Sequence, residues 1–127
     1  MEKIGIIGSG TWGTAIAVLL VNNGHEVTLW SAIPAEIEEM AKTRTHRNLP
    51  GVTLPEGLIY TADLEKAMAD KDLLVMAVPS VFVRSTAQKM KPFCKDGQLI
   101  VDVAKGIEEN TLDTMTQIIK EELPMAE

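Results

Sequence analysis

Short apolar runs alternate along this chain with stretches whose apolar residues recur every three or four positions. Ile4, Ile6 and Ile7 form the first run. Ala15, Ile16, Leu19 and Leu20 then fall at helical spacing, and Asn22-Asn23-Gly24 supplies a left-handed exit. Val27, Leu29 and Trp30 make a second strand, so Lys3 to Trp30 reads as one strand–helix–strand unit of about 30 residues. Ser31 to Pro34 is a loop entering a short helix, with Pro34 in its first turn and Ile37, Met40 and Ala41 on its apolar face. From Thr43 to Gly57 the periodicity is lost among Asn48, Pro50, Gly51, Pro55 and Gly57. Leu58-Ile59-Tyr60 reads as a short strand, followed by Asp63 as the cap of a helix carrying Leu64, Ala67 and Met68.

The second half continues the alternation. Leu73 to Val78 is continuously apolar, as a strand buried on both faces requires, and Pro79 cannot extend its ladder. A helix is expected over Val81 to Lys91, stopped by Pro92, and a strand over Leu99 to Val103 between Gly97 and Gly106. A last helix, capped by Asn110 and ended by Pro124, places Leu112, Met115, Ile119 and Leu123 on one face. Strands alternating with helices predict an α/β fold: a doubly wound, mainly parallel sheet with helices on both faces.

The first turn adds chemistry. Gly8, Gly10 and Gly13 have the G-x-G-x-x-G spacing of a dinucleotide fingerprint, placed between an apolar strand and a helix as a Rossmann-type domain demands. Gly8 turns the chain, Gly10 lets backbone approach a pyrophosphate, and Gly13 brings helix and sheet together. The helix starting near Thr11 turns its free N–H groups and positive dipole end toward the phosphates. Ligands of such sheets bind beyond the carboxyl ends of the strands. Four loops leave those ends: Gly8–Gly13, Trp30–Pro34, Pro79–Phe82 and Ala104–Gly106.

Composition narrows the remaining classes. The 127 residues are 46% hydrophobic, enough for one domain with a core. The net charge is −6, without a basic cluster, which disfavours nucleic acid or an acidic membrane surface as partner. The single cysteine, Cys94, excludes an internal disulfide framework. No leader pattern precedes the first strand, and the longest apolar run, Ala15 to Val21, is far below the roughly 20 residues of a membrane span. A cytoplasmic protein is the expectation.

Several side chains bear on the ligand. NAD-specific domains place Asp or Glu at the end of the second strand, on the ribose hydroxyls. Here Ser31-Ala32 stands there, the first acid downstream is Glu36, and Lys42, Arg44 and Arg47 lie further on. With neither a repelling carboxylate nor an adjacent guanidinium, dual or NADP-leaning use is expected. Lys105, beside Gly106 at a strand end, is a candidate for holding a substrate phosphate, or is an ordinary surface lysine. Trp12 and Phe82 either pack on the cofactor rings or cap the core. His25 and His46 have no partners at metal-ligand spacing, Ser9 and Ser80 lack a G-x-S-x-G setting, and Cys94 lies away from the ligand loops.

Taken together, GSGTWGTAIA, the NLPG at Asn48 to Gly51, AVPSVF at Ala77 to Phe82 and VAKGIE at Val103 to Glu108 resemble the NAD(P)-dependent glycerol-3-phosphate dehydrogenases of bacterial type. The resemblance runs from Met1 to about Leu123. It implies a cofactor site of Gly8, Ser9, Gly10, Thr11, Trp12, Gly13, Ser31, Ala32, Pro79, Phe82 and Lys105, with Lys105 also touching substrate. It further implies NAD or NADP as cofactor, sn-glycerol 3-phosphate and dihydroxyacetone phosphate as substrates, a role in glycerophospholipid biosynthesis, and a homodimer among the assemblies it allows. Residues 1–127 would form the N-terminal dinucleotide-binding domain, with the catalytic lysine in a helical C-terminal domain absent from this chain. The chain departs from the family at Ala32, often Arg or His, and at Asn48, often aromatic. A different two-domain hydroxyacid dehydrogenase and a non-catalytic dinucleotide sensor are the alternatives.

Overall fold

A computed structural model describes residues 2–46, 53–103 and 122–123. Its strands are β1 (Lys3–Ile7), β2 (Glu26–Trp30), β3 (Leu58–Thr61), β4 (Leu73–Met76) and β5 (Leu99–Asp102). Between them run helices α1 (Thr11–Asn22), α2 (Pro34–Thr43), α3 (Leu64–Met68) and α4 (Val83–Met90). The five strands form one sheet in the order β3-β2-β1-β4-β5, and every pairing is parallel. The expected α/β, Rossmann-type, doubly wound architecture is therefore present.

The pleat distributes the apolar residues between two cores. Ile4, Ile6, Val27, Leu29 and Val75 face one side, where Ala17 of α1 and Ile37 and Met40 of α2 cover them. Ile7, Trp30, Leu74 and Met76 face the other, under Ala67 and Met68 of α3 and Val83, Ala87 and Met90 of α4. This side-to-side alternation follows from the two-residue period of a strand. Gly5 has a specific reason to lack a side chain: a Cβ there would run into the Ala67 carbonyl oxygen of α3. The α3 helix can lie on β1 only because that position is bare.

Local signals decide most boundaries. Asp63 accepts a hydrogen bond from the Glu65 N–H at 3.0 Å and so caps α3. At the end of α1, the Gly24 N–H reaches the Val21 carbonyl and the His25 N–H the Leu20 carbonyl, with Gly24 at φ 90°. That is the Schellman arrangement, which uses up orphan carbonyls of the last turn.

Some boundaries differ from expectation. The strand read to Val78 ends at Met76. The helix expected from Val81 begins as a 3₁₀ turn over Ser80–Phe82. Pro92 does not end the chain's turning but sits inside a second 3₁₀ turn, Lys91–Phe93, near its start, where a missing N–H costs little. Ala41 is exposed rather than part of the buried face of α2. The expected last helix lies mostly outside the described residues; Leu123 from its apolar face is buried in the α3–α4 core.

Candidate functional site: a cleft at the carboxyl ends of β1 and β4

The chain runs from β1 outward to β2 and β3, then returns to start again with β4 and β5 on the other side of β1. The two connections leaving β1 and β4 diverge to opposite faces, which opens a crevice at their carboxyl ends. A cleft of about 440 Å³ occupies that point. One wall is Gly8, Ser9 and Gly10; a second is Trp30 to Ile33 with Glu36; the third is Val78, Pro79 and Phe82 with Ser85, Thr86 and Lys89 of α4.

The glycines differ in what they do. Gly8 has φ 125°, and a Cβ would come within 2.7 Å of the Ala77 carbonyl carbon and the Val78 nitrogen. A Cβ on Gly13 would strike the Gly8 carbonyl oxygen and come within 3.2 Å of the Ala77 methyl. Both serve close backbone packing. Gly10 has an ordinary φ of −66° and would meet nothing within 4 Å. Among the described residues its bareness serves no neighbour, and it leaves space in front of α1. As the N-cap of α1, Gly10 also offers no side chain to the N–H groups of the first turn. An uncapped helix start behind an open glycine fits a bound anion such as a pyrophosphate.

Ser9 fixes the loop. Its hydroxyl donates to Oε1 of Glu36 at 2.7 Å. Its carbonyl accepts from Oγ1 of Thr14 at 3.0 Å and from Nε2 of His46 at 2.9 Å. Because a carbonyl only accepts, that contact requires the His46 tautomer with hydrogen on Nε2. Three ties from two helices and the following loop thus hold one residue of the fingerprint.

The expected residues are distributed as follows. Gly8, Ser9, Gly10, Ser31, Ala32, Pro79 and Phe82 line the cleft together. Ser31 is buried and its hydroxyl accepts the Ile33 N–H at 3.1 Å, bending the loop after β2. Thr11 is the first residue of α1, and Gly13 lies packed beneath the loop rather than on the cleft wall. Trp12 is 73% exposed and Phe82 54% exposed, so neither caps the core, and only Phe82 reaches the cleft lining. Lys105, the NLPG segment and the Ala104–Gly106 loop lie outside the described residues, as does Arg47.

One expectation is corrected. The loop after β2 carries no acid, yet a carboxylate does stand in the cleft, because the first turn of α2 folds back and brings Glu36 to Ser9. Glu36 was visible in the sequence only as the next acid downstream. Arg44, a candidate to swing back, instead faces Glu56 at 3.4 Å. His46, Thr86 and Lys89 gave no signal at all: His46 lies in the aperiodic stretch, and the α4 pair reads as ordinary helix surface. Burial pushes the Cys94 thiol up, and Asp96 adds to the effect, which suits an unreactive cysteine. Among the described residues no group of acids, histidines and cysteine could hold a metal, and no helix is long and apolar enough to cross a membrane.

Fold and cleft together define a Rossmann-type domain. A family profile described as the NAD-dependent glycerol-3-phosphate dehydrogenase N-terminus matches residues 3–127, and the chain belongs to that family. It is 54% identical over 123 residues to the glycerol-3-phosphate dehydrogenase [NAD(P)+] 2 of Lactobacillus delbrueckii subsp. bulgaricus, covering 97% of this chain and 36% of the relative. The glycerol-3-phosphate dehydrogenase [NAD(P)+] of Agathobacter rectalis is 52% identical over 128 residues, covering 100% and 38%. The crystal structure of glycerol-3-phosphate dehydrogenase from Coxiella burnetii superposes with a TM-score of 0.91 at 28% identity, over 98% of this chain and 38% of that one. The chain therefore spans little more than a third of these relatives' length.

Proposed function

We propose that this chain is the cofactor-binding part of a glycerol-3-phosphate dehydrogenase that interconverts sn-glycerol 3-phosphate and dihydroxyacetone phosphate in the cytoplasm, feeding glycerophospholipid synthesis. The observation that carries the reading is Gly10, open to a cleft of about 440 Å³ at the switch point and directly before the uncapped start of α1. The first-turn N–H groups of α1 would hold the pyrophosphate. Ser31, Ala32, Pro79 and Phe82 would enclose the adenosine half, with Thr11 and Trp12 near the diphosphate. NAD or NADP, when bound, supplies the hydride acceptor; this chain binds and orients it.

Lys105 is proposed to touch both cofactor and substrate phosphate as a point charge with three donors. The proton-accepting lysine is assigned to a helical domain corresponding to the remaining length of the relatives. A homodimer is the assembly we propose for the intact enzyme.

Calorimetric titration with NADH tests the reading: one saturable site is expected, displaced by adenosine diphosphate ribose. Absence of saturable heat would overturn it. The chain alone should not turn over glycerol 3-phosphate, because positioning substrate against the cofactor supplies roughly 7–11 kcal/mol of such a barrier and the substrate-holding domain is elsewhere. Adding the separately produced C-terminal part of a relative should restore turnover, and turnover by the chain alone would refute the division of labour.

A further inference from the structure

Glu36 occupies a place in the cleft that the simple reading of the β2 loop leaves empty. It lies in the first turn of α2 and lines the cleft beside Ser31 to Ile33. It also lines an adjoining polar cavity of about 280 Å³ together with Gly10, Thr43 and His46. The carboxylate thus stands between the open glycine, where the pyrophosphate belongs, and the loop after β2, where the adenosine belongs. That intermediate position is the ribose's.

The carboxylate is also held. Oε1 accepts the Ser9 hydroxyl at 2.7 Å, a charge-assisted bond, and Ser9 is itself fixed through its carbonyl by Thr14 and His46. Glu36 therefore cannot swing clear without breaking a strong bond to a buried residue. Oε2 has no hydrogen-bond partner among the described residues. The loop Ser31-Ala32-Ile33 brings no cation to this wall, and among the described residues the lysine lining the cleft, Lys89, comes from α4 opposite.

We infer that Glu36 is a specificity-determining residue that favours NAD over NADP. The inference rests on the proposed dinucleotide site. A ribose diol can donate hydrogen bonds to the free carboxylate oxygen. A 2′-phosphate has lost that donor and carries nearly two negative charges at neutral pH, so it meets a fixed like charge. This reverses the expectation of dual or NADP-leaning use drawn from Ser31-Ala32 alone.

The test is titration of NADH and of NADPH into the chain and into Glu36→Gln. Glutamine keeps a carbonyl oxygen for the Ser9 hydroxyl, removes the charge, and puts an amide NH2, a donor, where the free carboxylate oxygen stood. The unmodified chain should bind NADH more tightly, and Glu36→Gln should shrink the preference about tenfold, equivalent to about 1.4 kcal/mol, mainly by gaining NADPH affinity. In the unmodified chain the preference should also shrink as salt rises, since screening weakens repulsion between partly exposed charges. Equal affinities in the unmodified chain, a variant that shifts both cofactors alike, or a preference indifferent to salt would each overturn the inference while leaving the dinucleotide site standing. Failure of the chain to bind NADH at all would remove the site and the inference with it.

Discussion

Valine placed at Gly10 and at Gly8 should separate ligand binding from folding within one short loop. At Gly10 the backbone has φ −66° and ψ −175°, which any residue adopts, and an added Cβ meets nothing within 4 Å. The folding cost is then only that of a poor N-cap residue, about 1 kcal/mol. At Gly8 the φ of 125° imposes strain of about 1–3 kcal/mol on any side chain. The Cβ would also press on the Ala77–Val78 backbone at 2.7 Å, adding about 1–3 kcal/mol of overpacking. Together these approach the lower end of the roughly 5–15 kcal/mol that holds a domain folded. Urea denaturation with parallel NADH titration reads both effects. Gly10→Val should unfold close to the unmodified midpoint yet lose NADH affinity by about a hundredfold or more, since its methyl groups occupy the pyrophosphate's approach. Gly8→Val should unfold at markedly lower urea. NADH binding by Gly10→Val within threefold of the unmodified chain would refute the assignment of that space, and an undiminished midpoint for Gly8→Val would refute the packing account.

Two further outcomes follow from other parts of the fold. Ala32→Arg should raise NADPH affinity relative to NADH by about tenfold, by placing a guanidinium on the exposed loop beside Glu36; an equal gain for both cofactors would show that residue 32 does not approach the ribose. Asp72 accepts the Lys3 N–H at 2.7 Å, and this backbone bond holds its carboxyl below its ordinary 3.8. A carboxyl depressed in the folded state contributes stability that is present above the unfolded value and is lost as pH falls through the folded one. Asp72→Asn should accordingly lower the melting temperature near neutral pH and flatten the decline below pH 3.8, and an unchanged acid limb in thermal melts would remove Asp72 from that account.

The parts of this protein legible in its sequence are those set by one element against its own layer. Ile4, Ile6 and Ile7 announce a strand because a strand has two faces to fill, and both are filled. Asp63 announces a cap because its partner is two residues away. The Gly8–Gly13 spacing announces a strand, a turn and a helix because those elements adjoin in sequence as in space. What stayed hidden depends on partners brought together by the finished fold. Ser9 meets Glu36 across 27 residues and His46 across 37, and neither spacing has a period that marks it. Leu54 lies in the aperiodic segment yet is buried in the α1–α2 core, because its N–H bonds back to the Arg44 carbonyl at 2.7 Å. The purpose of Gly5 is visible only with α3 lying on it.

The position of β1 at the middle of the sheet also sets an order of assembly. On one edge β1 pairs with β2, and the flanking contact from Glu2 to His25 closes a loop of 23 residues. On the other edge it pairs with β4, and Lys3 reaches Asp72 across 69 residues. Tripling the loop adds about 1 kcal/mol of closure entropy, and the longer closure also needs α2 and β3 out of the way. The first strand, helix and second strand can therefore meet early, whereas the edge that completes the cleft is made only when the second half of the chain docks. The Gly8–Gly13 loop is thus shaped twice: once by its own unit, and finally by the late arrival of Ala77 and Val78 against Gly8. Pulse-labelled hydrogen exchange should find the amides between β1 and β2 protected before those between β1 and β4, with simultaneous protection speaking against this sequence of events.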